Sequence, residues 1–289
     1  MPITTAEFNY IRDLVRERSA LLLEAGKEYL VEARLDPLAH DEGFSSLKQL
    51  VESLRSRPAS ELHRKVVEAM TTNETSFFRE IRVFDMVKKT ILPQIMTARA
   101  RQRSLNLWCA ASSCGQEPYS FAMLMLEHFP ALASWNVRFI ASDISREMLS
   151  RARAGRYSKL EMNRGLPANM LVKYFHKQGD TWEISPDVRR MVEFREINLI
   201  KPWPALGRMD MIFMRNVLIY LDADTRKNIL GRAAQLLDPE GYMLLGGAET
   251  TNNIDDSFEA VSIAGATCFR LKKRSSFASP LETSISGRG

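Results

Sequence analysis

The sequence predicts an α/β protein: a mainly parallel sheet covered on both faces, carrying a small β-subdomain insertion and preceded by an all-helical domain. Three observations predict it. Residues 4–70 place their apolar side chains at helical spacing. From residue 104 strand-like runs alternate with helical ones, the pattern of a parallel sheet. Residues 156–191 interrupt that alternation with a short helical stretch, Gly179-Asp180 and a Trp182-Glu183-Ile184 run, which suits a β-hairpin insertion.

In the first domain, Phe8, Ile11, Leu14 and Val15 form one helical stripe. Leu47, Leu50, Val51 and Leu54 form another, and Leu62, Val66, Val67 and Met70 a third. With a helix over Tyr29–Leu38, this reads as about four helices punctuated by Pro37, Gly43 and Pro58. Five strands follow at Leu105–Ala110, Val137–Ser142, Val192–Ile197, Met209–Met214 and Tyr242–Leu245. Helices are expected at Tyr119–Phe129, Glu147–Ala154 and Ala223–Leu237, with a shorter one at Pro167–Tyr174. Phe258–Ile263 and Thr267–Leu271, joined through Ala264-Gly265-Ala266, read as an antiparallel hairpin at one sheet edge. The expected boundaries are 1–75 for the helical domain and its linker and 76–274 for the α/β domain. Residues 275–289 form a Ser- and Gly-rich tail expected to be disordered.

Composition narrows the class. No run approaches the length of a membrane span, and Ala20–Leu23 is too short for a signal core. Cys109, Cys114 and Cys268 are odd in number and form no CxxC pair, so neither a disulfide framework nor a metal site is expected. The reading is a cytoplasmic protein with free thiols, and no coiled-coil pattern suggests more than a monomer. The net charge of +5 is unevenly placed. Residues 1–75 hold 10 Lys+Arg against 13 Asp+Glu, and residues 76–289 hold 30 against 22. The basic larger part could attract an acidic partner.

A nucleoside pocket is written at the first two strands. Leu105–Ala110 runs into Ala111-Ser112-Ser113-Cys114-Gly115-Gln116-Glu117-Pro118, small residues that let a ligand approach the backbone. Pro118 suits a first helical turn. The next strand ends at Asp143, an acid placed to accept both hydroxyls of a ribose; its alternative role is a cap for the helix starting near Ser145. The loop has one glycine and then Glu117. A pyrophosphate would need several glycines and would be repelled by that carboxylate, whereas a methionyl ammonium would be attracted. S-adenosylmethionine is therefore favoured over a dinucleotide.

Further segments carry a family resemblance. Met70-Thr71-Thr72-Asn73-Glu74-Thr75-Ser76-Phe77-Phe78-Arg79, Gly115-Gln116-Glu117-Pro118-Tyr119-Ser120, Ala141-Ser142-Asp143-Ile144 and Phe213-Met214-Arg215-Asn216-Val217-Leu218-Ile219-Tyr220 stand in order. Together they resemble the CheR family of protein-glutamate O-methyltransferases, over roughly residues 5–273. The resemblance implies a Rossmann-like class I methyltransferase domain behind a helical substrate-docking domain. It implies S-adenosylmethionine as cofactor, S-adenosylhomocysteine as product, and sensory adaptation as the signalling role. It assigns Asn73, Thr75 and Arg79 to the cofactor's amino-acid end, Asp143 to its ribose and Asn198-Leu199 to its adenine. Glu117, Arg215 and Asn216 join this cofactor set. Arg79 and Tyr220 would frame the reacting methyl as catalytic residues.

The implied substrate is a glutamate on the acidic cytoplasmic helical bundle of a methyl-accepting chemotaxis protein. Such a side chain is ionised at neutral pH and needs no general base. Docking through a basic face is implied, and Arg34 is the candidate, although the N-terminal segment here is net acidic. Lys177-Gln178-Gly179-Asp180 lacks a Gly-x-Gly, so tight binding of a receptor C-terminal pentapeptide is not expected. Two other readings stand beside this one. A nucleic-acid methyltransferase fits the pI of about 9.1. It would need an Asn/Asp-Pro-Pro-aromatic turn where Arg215-Asn216-Val217-Leu218 stands, or a Pro-Cys nucleophile that is missing. A binding module with weak catalysis would keep the fold, yet every cofactor position carries a usable residue.

Overall fold

The computed structural model describes residues 2–273; the expectation of a disordered tail lies outside the described residues. The helical domain comprises α1 (Thr5–Ser19), α2 (Glu28–Asp41), α3 (Leu47–Ser56) and α4 (Glu61–Ala69). Thr4 caps α1 in a box with Glu7, and Ser46 caps α3. Phe8, Ile11 and Val15 pack against Val31, Leu35, Leu50 and Val66 in a core of their own. Pro37 lies inside α2 and does not end it. Val31, Leu35 and Ala39, buried on both sides of the proline, hold the helix together across the missing hydrogen bond.

Residues 81–98, where no element was expected, form α5 (Ile81–Met86) and α6 (Leu92–Ala98), joined by a π-helical turn. The α/β domain follows as β1 (Ser104–Ala110), α7 (Gln116–His128), β2 (Asn136–Asp143) and α8 (Arg146–Ala154). The subdomain holds β3 (Arg156–Ser158), α9 (Lys159–Met162), α10 (Ala168–Tyr174), β4 (Phe175–Gln178), β5 (Thr181–Ile184) and α11 (Pro186–Arg189). The chain then returns through β6 (Val192–Glu196), β7 (Met209–Met214), α12 (Ala223–Leu236) and β8 (Leu237–Leu245). It finishes with β9 (Phe258–Ile263) and β10 (Ala266–Leu271).

The seven-stranded sheet has the order β6-β2-β1-β7-β8-β10-β9. β6, β2, β1, β7 and β8 run parallel, and β10 is antiparallel to both neighbours. The last hairpin turns on Ala264 and Gly265, both at positive φ, as a two-residue turn requires. Alternate residues feed cores on opposite faces. Leu107 and Cys109 join Phe84, Phe121 and Phe213, while Trp108 and Ala110 join Ile140, Ile212 and Leu230. Strand order reverses between β1 and β7, which opens a crevice at the strands' carboxyl ends.

The subdomain is a three-stranded antiparallel sheet, β3-β5-β4, one strand more than the expected hairpin. Arg156–Ser158 is too short to show a period. Phe77 anchors the subdomain by edge contacts to Tyr157 at 5.0 Å and Phe175 at 5.5 Å between ring centres. Gly165, at φ +86°, lies so close that a Cβ would sit 2.0 Å from the Phe77 carbonyl oxygen.

Candidate cofactor and methyl-transfer site

The cavity forms where β1 and β2 end. The turn after β1 bends through left-handed backbone at Ala111 (φ 53°) and Ser113 (φ 49°) and reaches α7 at Gly115 (φ 90°). A side chain at Gly115 would crowd Ala152, Tyr119 and Phe194, so glycine is required by both space and φ. The Ser113 N–H donates to Asp143 Oδ2 at 2.8 Å, and the Ser145 N–H to Oδ1 at 2.9 Å. Ser145, not Asp143, caps α8, with its Oγ accepting from the Met148 N–H. Asp143 is only 6% exposed. Burial raises its pKa, and the N–H groups of Ser145, Ser113 and Ile144 oppose that rise. Each oxygen keeps a lone pair for a further donor.

Across the crevice, Arg215 follows β7 and is 4% exposed. Its guanidinium pairs with Glu117, reaches Glu80 Oε2 at 3.1 Å and donates to the Arg79 carbonyl at 3.0 Å. Burial alone would lower its pKa, but Glu117 and Glu80 outweigh that and raise it. The second oxygen of Glu117 faces the Cys109 thiol at 3.4 Å. Burial holds that thiol protonated, with its pKa well above the ordinary range. All three cysteines are free. Arg215 thus serves as the buried counter-ion that fixes Glu117 at the cavity wall.

A third wall is the linker after α4. Ser113 Oγ donates to the Asn73 carbonyl at 3.0 Å, Thr71 Oγ1 to Asn73 Oδ1 at 3.1 Å, and Arg79 to the Glu74 carbonyl at 3.1 Å. Arg34 lies behind this wall. Its guanidinium donates to the carbonyls of Met70 (2.5 Å) and Thr71 (3.1 Å) and to Thr72 Oγ1 (3.2 Å). Its desolvation lowers its pKa. The fourth wall follows β6: Asn198 accepts from the Ile200 N–H and donates to the Arg18 carbonyl at 2.7 Å. Beyond β7, the turn Leu218–Tyr220 presents Tyr220, whose carbonyl accepts from the Leu22 N–H at 3.0 Å.

One cavity, of about 950 Å³ including its open mouth, brings these parts together. Asn73, Thr75, Arg79, Glu117, Asp143, Asn198, Leu199, Arg215, Asn216 and Tyr220 all line it; Arg34 does not. Ser19 and Leu21 also line it, so the helical domain completes the pocket. Sequence reasoning missed these two, because nothing local marks a residue whose role comes from a contact 200 positions away. It also missed Ser112, whose buried Oγ has no partner. Among the described residues no His/Cys/Asp/Glu group could hold a metal ion, and no helix is long and apolar enough to cross a membrane.

Comparison with known proteins agrees with this arrangement. The all-alpha domain of the CheR methyltransferases matches residues 6–71, and their SAM-binding domain matches residues 73–266. The chain belongs to the CheR methyltransferase family. It is 38% identical to chemotaxis protein methyltransferase 1 of Pseudomonas aeruginosa over 94% of this chain and all of that one. It is also 38% identical to chemotaxis protein methyltransferase 1 of Vibrio cholerae, over 93% and 99%. The match to chemotaxis protein methyltransferase Cher2 of Pseudomonas putida is 36%, over 92% and 98%. Membership in the family identifies S-adenosylmethionine as the cofactor and a methyltransferase as the enzyme class. The residues present fit that cofactor: Asp143 has free lone pairs at the strand end, the buried Ser112 hydroxyl lacks a partner, and the turn after β1 meets the cavity with the small residues Ala111, Ser112 and Ser113.

Proposed function

We propose that this protein methylates glutamate side chains on the cytoplasmic helical bundle of a methyl-accepting chemotaxis receptor, forming γ-carboxyl methyl esters. The observation that carries the reading is the convergence of four distant segments, around 73–79, 111–117, 143 and 215–220, on one cavity. Bound S-adenosylmethionine supplies an electrophilic methyl group on a sulfonium.

In this reading Asp143 holds the ribose hydroxyls, and Asn198-Leu199 flank the base. Asn73, Thr75 and the Arg79 fork hold the amino-acid end, beside the Glu117 carboxylate that Arg215 fixes and the neighbouring Asn216. The incoming glutamate is ionised at neutral pH and attacks without a base. Among the described residues no histidine lines the cavity. The protein therefore contributes alignment and the exclusion of water, which together supply several kcal/mol. In this reading Arg79 and Tyr220, which both line the cavity, orient the carboxylate. A docking role for Arg34 would compete with its three hydrogen bonds to 70–72, so those contacts favour a supporting role for it. The β4–β5 connection is only Gly179-Asp180, which supports weak or no binding of a receptor C-terminal pentapeptide.

The test is incubation with methyl-labelled S-adenosylmethionine and receptor-bearing membranes. Volatile label released by base identifies a methyl ester and supports the reading. Base-stable label, or label in nucleic acid alone, overturns it.

A further inference from the structure

We propose that Glu249 is a positioning residue for methyl transfer: its carboxylate gathers the backbone N–H groups of the loop that carries Asn216 and Tyr220. The N–H of Asn216 donates to Glu249 Oε2 at 2.7 Å. Those of Val217, Leu218 and Ile219 donate to Oε1 at 2.9, 2.7 and 3.2 Å. The Gly246 N–H adds a fifth bond, to Oε2 at 2.7 Å. No local helix satisfies these donors. The chain leaves β7, passes through left-handed backbone at Asn216 (φ 58°) and only then makes the short turn Leu218–Tyr220. Consecutive N–H groups in such a bend converge on one point and form a natural seat for an anion. Here the anion is built in, from the loop after β8.

The seat is also shaped to keep Glu249 in place. A Cβ on Gly246 would fall 2.5 Å from Asn216 Nδ2 and 3.0 Å from the Asn216 N. Glycine therefore lets the β8 end lie directly against the β7 end. Asn216, Val217 and Tyr220 line the cavity, but Glu249 does not; it faces the groove on the other side, with Glu80 and Thr250. Its influence on the reaction is therefore indirect, through the loop it holds. Without its carboxylate, five donors lose their shared acceptor, and the loop before Tyr220 keeps only its own short turn and the Leu22 N–H bond to the Tyr220 carbonyl. A displacement of about 1 Å at a reacting centre reduces turnover by as much as about a hundredfold.

The inference rests on Tyr220 serving the proposed reaction, and the test separates the two. Wild type, Glu249→Ala and Glu249→Gln are compared by turnover on receptor-bearing membranes, S-adenosylhomocysteine affinity and melting temperature. Each is measured with sodium acetate and with sodium chloride at matched ionic strength. Glu249→Ala should lower kcat by about tenfold or more. Acetate, and not chloride, should restore part of that kcat and raise the melting temperature of this variant alone. Glu249→Gln keeps the side-chain shape but turns an N–H₂ toward backbone donors, so it should lose kcat without responding to acetate; it serves if the alanine variant does not fold. Wild-type kcat in both variants, or a loss of kcat in Glu249→Ala that acetate does not relieve, overturns the inference. If wild type itself transfers no methyl group, the proposed reaction fails, while the acetate-dependent melting shift still tests the seat.

Discussion

Asp143 sits at the strand end where burial penalises its charged form, and three backbone N–H groups only partly offset that penalty. The sign follows. A carboxyl whose folded pKa is raised favours the fold when protonated, and that contribution is lost as pH rises through the folded pKa. Ionised Asp143 therefore works against the fold at neutral pH, in the manner of a residue kept for binding. Ribose hydroxyls donate to the ionised form, so affinity for S-adenosylhomocysteine should fall on acidification. The fall should begin above the ordinary aspartate pKa of 3.8. Calorimetric titrations from pH 8 downward check this; affinity unchanged to the lower limit of folding would contradict it. At this scale the sequence was readable where chemistry is local. Asp143 and Glu117 announce themselves by type and place. Arg215 is carried into the site by the family resemblance, but its pairing with Glu80 is not legible, because Glu80 owes its position to a left-handed bend (φ 60°).

Elements with a full period were legible, and short ones were not. The helices of the first domain and the five parallel strands lie where apolar spacing put them, since each must bury a face. β3, α9 and α11 have three or four residues each and carry no periodicity, so the subdomain's third strand was invisible. Pro37 looked like a break and is not, because tertiary packing of α2 outweighs the lost hydrogen bond. The subdomain's attachment yields a prediction at this scale. Gly165→Ala places a methyl against the Phe77 carbonyl and forces alanine into positive φ. The backbone term alone costs about 1–2 kcal/mol. For a chain of this size each kcal/mol lowers Tm by roughly 2–4 °C. A melting curve should show a fall of at least that size, and wild-type melting would mean the contact is relieved elsewhere.

Across the whole molecule, the helical domain completes the cavity. Arg18 accepts from Asn198, Leu22 donates to Tyr220, Leu21 bridges Leu221, and Glu68 accepts from Ser145 Oγ and the Arg146 N–H. These ties explain why an acidic N-terminal segment can still serve the site: it contributes part of the cavity wall. Hydrogen exchange should therefore slow in residues 18–24 and 70–75, as well as 111–117, when S-adenosylhomocysteine is added. Protection confined to the α/β domain would show that the helical domain takes no part. None of this was visible in the sequence, which assigns no role to Ser19 or Leu21.

The most direct measurement is a calorimetric titration of the purified protein with S-adenosylhomocysteine, repeated with Asp143→Asn. One equivalent should bind to the wild type, and the variant should bind about 10- to 100-fold more weakly, the worth of a charge-assisted hydrogen bond. A wild type that takes up no ligand, or a variant that binds as well as the wild type, would contradict the assignment of this cavity.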